Sequence, residues 1–155
     1  MADRLSLTHF RQEDKFGGCL PACAQMVLAH LGVFRSQTNL ARLMRTQRGV
    51  GTPASNITWL ASEQLSVTYT SGSLKNLATW LNRDVPVIVF VQAGELPHWR
   101  GERAHRAIVV VGMESQAVQI LDPAMEANVI TVPRDDFILA WDERDYVYAT
   151  VTRRS

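Results

Sequence analysis

Cys19 lies in the run Gly17-Gly18-Cys19-Leu20-Pro21-Ala22-Cys23, where a glycine turn feeds a stretch of helical periodicity. A sulfur at the start of a helix faces backbone N–H groups without intrahelical partners and the positive end of the helix dipole. Those surroundings suit a thiolate nucleophile. Such a nucleophile needs a base, because an unperturbed thiol is mostly protonated at neutral pH. His105 heads an apolar run over 107–111, so packing would hold its ring with one edge toward a cleft. Asp122, in Leu121-Asp122-Pro123, is expected beside it on a neighbouring strand if residues 113–116 turn a hairpin. There its carboxylate would fix the imidazole tautomer and stabilise the imidazolium. Gln12, upstream of the cysteine, could offer an amide N–H₂ to a developing oxyanion, together with the Cys19 backbone N–H.

The elements that must position these groups are helical first and mostly stranded later. An extended lead over 5–10 is followed by a helix over 20–31, with Leu20, Cys23, Val27 and Leu31 at helical spacing and Gly32 as its stop. A second helix is expected over 37–45. Ser55 or Asn56 can cap a third carrying Ile57, Leu60 and Ala61. A strand over 66–70 precedes a helix capped by Ser73, and a buried strand follows over 85–91. After a loop over 92–104, strands are expected over 105–111, 117–121 and 129–132. Pro133 then opens a helix over 134–141, and a last strand covers 146–152. Trp59, Trp80 and Trp141 sit among apolar residues as core candidates, whereas Trp99 lies in the charged loop before His105 and is a candidate cleft wall or lid. The order of elements implies an α+β fold, with a helical N-terminal lobe on an antiparallel sheet lobe. A length of 155 residues without a break in composition suits a single domain over 1–155.

Sixteen basic side chains against fifteen acidic ones leave the net charge near zero, so electrostatics supplies no reason to expect a nucleic-acid partner or an anionic membrane. The first residues lack the apolar core of a signal peptide, and the apolar runs are too short to cross a bilayer. Two cysteines one helical turn apart, without an export signal, point to free thiols and a cytoplasmic setting. A zinc site from Cys19, Cys23 and a histidine lacks a second ligand pair at standard spacing. No metal and no cofactor is expected.

The segment over 12–28, the segment over 105–123 and the ending Phe137-Ile138-Leu139-Ala140-Trp141 together resemble the C39 family of papain-like cysteine peptidases. The resemblance spans nearly the whole chain. It implies a papain-like fold and thiol peptidase activity, with Cys19 as nucleophile, His105 as general base, Asp122 as orienting acid and Gln12 as oxyanion donor. Gly18 stands where the family usually has an aspartate, and Leu20 where it has a glycine. Leu20 narrows the space beside the sulfur, so the double-glycine specificity of transporter-fused members is not carried over. The expected partner is a peptide or protein substrate. The alternatives are an acyltransferase or transpeptidase that uses the same acyl-enzyme, and a non-catalytic module that binds peptides in a papain-like groove.

Overall fold

The computed structural model describes residues 4–126 and 128–155. Helix α1, Cys19–His30, is buried over most of its circumference, with Leu20, Ala22, Cys23, Ala24, Met26, Val27 and Leu28 all inaccessible. A helix apolar on nearly every side is a core helix. It ends in a Schellman motif: the Gly32 N–H donates to the Ala29 carbonyl and the Val33 N–H to the Leu28 carbonyl, with Gly32 at φ +80°.

Six strands form one antiparallel sheet: β1 Leu65–Ser71, β2 Val87–Gln92, β3 His105–Met113, β4 Ala117–Leu121, β5 Ile130–Pro133 and β6 Val147–Arg153, in the order β1-β6-β2-β3-β4-β5. Alternate residues of each strand point to opposite faces. On one face Ile88, Phe90, Ala107, Val109, Val111 and Leu121 pack with α1, with α2 (Gln37–Leu43) and with the 3-10 segment Ala54–Leu60. On the other, Val87, Val89, Val91, Ile108, Val110 and Ile120 pack with α3 (Leu74–Asn82) and α4 (Arg134–Asp142). The helical lobe on an antiparallel sheet is therefore present. The sheet is also covered on its far face, which is why β2 over 87–91 and β3 over 107–111 are apolar without a break.

Local chemistry places most boundaries. Ser73 and Asn76 form a reciprocal capping box on α3, and the β3–β4 hairpin turns where expected. The third helix departs from expectation. It is a 3-10 segment entered at Pro53 with no side-chain cap, and the Asn56 amide instead donates to the Met44 carbonyl at 2.8 Å. In 3-10 geometry residues three apart eclipse, so Ile57 and Leu60 are buried while Trp59 is 51% exposed, with the Arg45 guanidinium 5.0 Å from its ring. Trp59 is thus not core. Trp141 is fully buried, whereas Trp80 is half-buried and donates to the Tyr148 hydroxyl at 3.2 Å. Among the described residues no helix is long and apolar enough to cross a membrane.

Candidate functional site

Cys19 is the first residue of α1, and no side chain caps the helix at Gly18. Its backbone N–H and that of Leu20 belong to the turn that has no intrahelical acceptors, and Pro21 removes a third donor. The approach to this turn is crowded. A Cβ on Gly17 would lie 2.8 Å from the Gly51 nitrogen, and one on Gly18 would lie 2.7 Å from the Asp14 carbonyl oxygen. Two glycines let the backbone pass there. The Asp14 carboxylate accepts from the Gly49 N–H at 2.7 Å and the Phe16 N–H at 3.3 Å. The Gly49 bond is the main cause that holds this carboxyl below its ordinary range, against partial desolvation. Asp14 thereby ties the segment around Gly49 to the turn that carries Cys19.

A cleft of about 470 Å³ opens at this point, lined by Cys19, His105, Arg106, Arg144, Arg45 and the segment over 50–54, among others. Both cysteines are free; Cys19 is partly accessible and Cys23 is buried. Burial, then the neighbouring Cys19 and Asp122 charges, push the Cys23 thiol well above its ordinary value. Iodoacetamide near neutral pH should therefore alkylate Cys19 alone, leaving Cys23 unmodified in the folded protein. Peptide mapping of the alkylated chain checks this.

Of the four residues singled out from the sequence, the structure brings two into one cleft. His105 lines it with Cys19. Desolvation, then the Arg144 charge, lowers the His105 pKa, and Glu143 opposes them. The lowered pKa favours the neutral ring, the form able to accept a proton. Asp122 does not meet it. One carboxylate oxygen accepts from His98 Nε2 at 2.8 Å and from the Trp99 indole N–H at 2.9 Å, and the other accepts from the Ala124 N–H at 2.9 Å. Burial raises the pKa of this carboxyl, but the His98, Ala124 and Trp99 bonds outweigh it, and the net displacement is downward. The expected His105–Asp122 hydrogen bond is not formed.

Strand alternation supplies the reason. Val109 pairs with Leu121 across β3 and β4, and both face α1. Two residues apart along β3, His105 and Ala107 belong to that same set. Asp122 follows β4 in the opposite set, with Val118 and Ile120, and its carboxylate is held by His98 and Trp99. Arg106 shares the set of Ile108, but at this end of the strand its guanidinium reaches Gln12 and lines the same cleft as Cys19.

Gln12 is likewise engaged elsewhere. Its amide N–H₂ donates to the Asp14 and Lys15 carbonyls at 3.0 and 2.9 Å, and its oxygen accepts from Arg106. Its amide is therefore occupied by the turn that precedes Cys19. Trp99 is not a wall of the cleft: its ring lies under the Arg106 guanidinium, 5.1 Å away, and its indole N–H is bound to Asp122. The sequence reading missed His98, Arg106 and Arg144. The signal for Arg106 was a lone charge inside a run otherwise apolar on both strand faces.

Among the described residues, no group of three His, Cys, Asp or Glu side chains is close enough to hold a metal ion. A partly accessible cysteine at the open end of a helix and a histidine from an antiparallel sheet line one cleft of an α+β fold. The profile of the Peptidase C39-like family matches residues 4–149, and the chain belongs to that family. Three solved structures share its fold. One is described as a C39-like peptidase from Bacillus anthracis, with 19% identity over 97% of this chain and 99% of that one and a TM-score of 0.74. The peptidase domain of Streptococcus ComA, a bifunctional ABC transporter involved in quorum sensing, is 22% identical over 95% and 98% of the two chains, with a TM-score of 0.73. A double glycine motif protease from an AMS/PCAT transporter, in complex with its leader peptide, is 15% identical over 100% and 96%, with a TM-score of 0.75. A search of curated proteins found no match.

Proposed function

We propose that this chain is a cysteine peptidase that cleaves a peptide or amide bond through an acyl-enzyme on Cys19. The observation that carries this function is the shared cleft: Cys19 at the uncapped end of α1 lines the same space as His105, whose lowered pKa favours the neutral ring. His105 takes the thiol proton as sulfur attacks the carbonyl carbon, and the Cys19 backbone N–H donates to the oxyanion. The imidazolium returns its proton to the leaving amine, and water, activated by the same ring, releases the acid. A peptide substrate fits the family, in which one relative of the same fold holds a leader peptide. Two free thiols suit a reducing compartment such as the cytoplasm.

The second reading, a peptide-binding module without turnover, is favoured by one specific observation: Asp122 and Gln12 spend their hydrogen bonds away from Cys19 and His105. A peptide-library cleavage screen followed by acid quench and mass spectrometry separates the two. Cleavage products with a thioester on the peptide containing Cys19 are the expected result, whereas bound but intact peptides with an unmodified Cys19 select the binding module. Because His105 must be neutral to act as base and its pKa is lowered, the acid limb of kcat/KM should fall below an ordinary imidazole's ~6.5.

A further inference from the structure

We propose that the Cys19 cleft recognises a carboxylate carried by its peptide, held by Arg106 and Arg144; this rests on the peptide-cleft reading above. The residues lining the cleft include Arg45, Arg106, Arg144 and His105 and no aspartate or glutamate. Arg106 is only 8% exposed, and its Nε is buried without a hydrogen-bond partner. One of its terminal nitrogens donates to the neutral Gln12 amide, and its plane lies over the Trp99 ring. Arg144 is partly buried and lines the same cleft as Cys19, and desolvation disfavours its charge.

Among the described residues, neither arginine forms an ion pair. The carboxylates of this region are taken by more exposed partners: Glu95 and Glu143 by Arg103, and Asp122 by His98. Arginine does not relieve burial by losing its proton, so two guanidinium groups withdrawn from water without a counter-ion are an unfavourable arrangement that an incoming anion would offset. A guanidinium fork matches a carboxylate through paired N–H bonds, and Arg106, already stacked flat on an indole, is fixed in orientation. Because both arginines line the cleft that holds Cys19, the recognised carboxylate would lie in the same cleft as the bond that is cut. It can come from an acidic side chain or from the free C-terminus of a short peptide.

The test uses the full chain carrying C19A, so that no probe is consumed, and fluorescence anisotropy with labelled peptides. Four versions of one peptide are compared: glutamate or glutamine at a central position, each with a free or an amidated C-terminus. The expected result is at least about tenfold tighter binding of a carboxylate-bearing version at low salt, weakening as salt rises. Loss with Glu→Gln assigns the ligand to a side chain, and loss on amidation assigns it to the C-terminus. Arg144→Gln should abolish the preference, and Arg144→Lys should retain part of it. Equal binding of all four within twofold, or no binding of any of them at millimolar concentration, overturns the proposal. Carboxylate-selective binding by C19A, with no cleavage by the native chain, would overturn the peptidase and leave the recognition site standing.

Discussion

Cys19→Ala is expected to lower kcat roughly 10⁴- to 10⁶-fold, to the background rate, because removing the attacking atom removes the covalent route itself. Peptide affinity should change little, since the methyl group that remains leaves the arginines and the glycine turn of the cleft in place. His105→Ala should lower kcat by about 10²- to 10⁴-fold, the range of a lost general base, with KM nearly unchanged. Cys23→Ala is the internal control. Its thiol is 0% exposed inside the contact between α1 and the sheet, so turnover should survive. Steady-state kinetics on a peptide drawn from the library screen, paired with anisotropy on the same sequence, measures all three. Turnover by the Cys19→Ala protein above background would remove the acyl-enzyme from consideration, whatever the behaviour of His105.

Much of the fold was readable because several short-range rules agreed at each boundary. The turn at Gly32, the cap at Ser73 and the hairpin between β3 and β4 each combine a stop or turn signal with a change of hydrophobic period. The structure places them within a residue or two of expectation. The segment after Pro53 was misread because it offers apolar residues at a spacing of three, which both helix types accommodate. In the 3-10 segment Ile57 and Leu60 turn inward and Trp59 outward.

The cleft was legible at Cys19 and less so in the groups around it. Cys19 could be placed because the determinant is local: a glycine turn and the start of a helix. The relation of His105 to Asp122 depends on which face of the sheet each side chain takes, and that follows from hairpin register. Register is normally set by alternation of apolar and polar residues, but β3 is apolar on both faces from Ala107 to Val111. With both faces buried, the strand gives no cue to which of His105 and Arg106 turns toward α1. Arg106 was passed over for the same reason, although a guanidinium at the mouth of a buried strand is a group that needs a partner.

Asp122→Asn tests whether this geometry, rather than the triad order of the chain, describes the molecule. The Asp122 side chain is fully buried and accepts from His98, from the Trp99 indole and from the Ala124 N–H. Leaving the donors of such a buried cluster without an acceptor costs about 1–3 kcal/mol each. Asparagine should fall toward the lower end, because its oxygen still accepts from Trp99 or Ala124, and Asp122→Ala toward the upper. Urea denaturation at pH 7 reads both. The pH dependence carries a sign. The folded pKa of Asp122 is depressed, so its contribution is complete above the ordinary carboxyl value of about 4 and is lost as pH falls through the lower folded value. The native chain should therefore lose stability in that acid window, and Asp122→Asn should lose this component of the dependence. Activity gives the sharper contrast. A carboxylate that orients the catalytic imidazole would cost about 10⁴-fold in kcat when changed to its amide. Asp122 instead holds His98 and Trp99, beneath Arg106, and makes no hydrogen bond to His105. The folded Asp122→Asn protein should keep kcat within about tenfold, with any change falling on KM through Arg106. A ten-thousandfold drop in kcat at native stability would show that Asp122 turns to His105 during turnover.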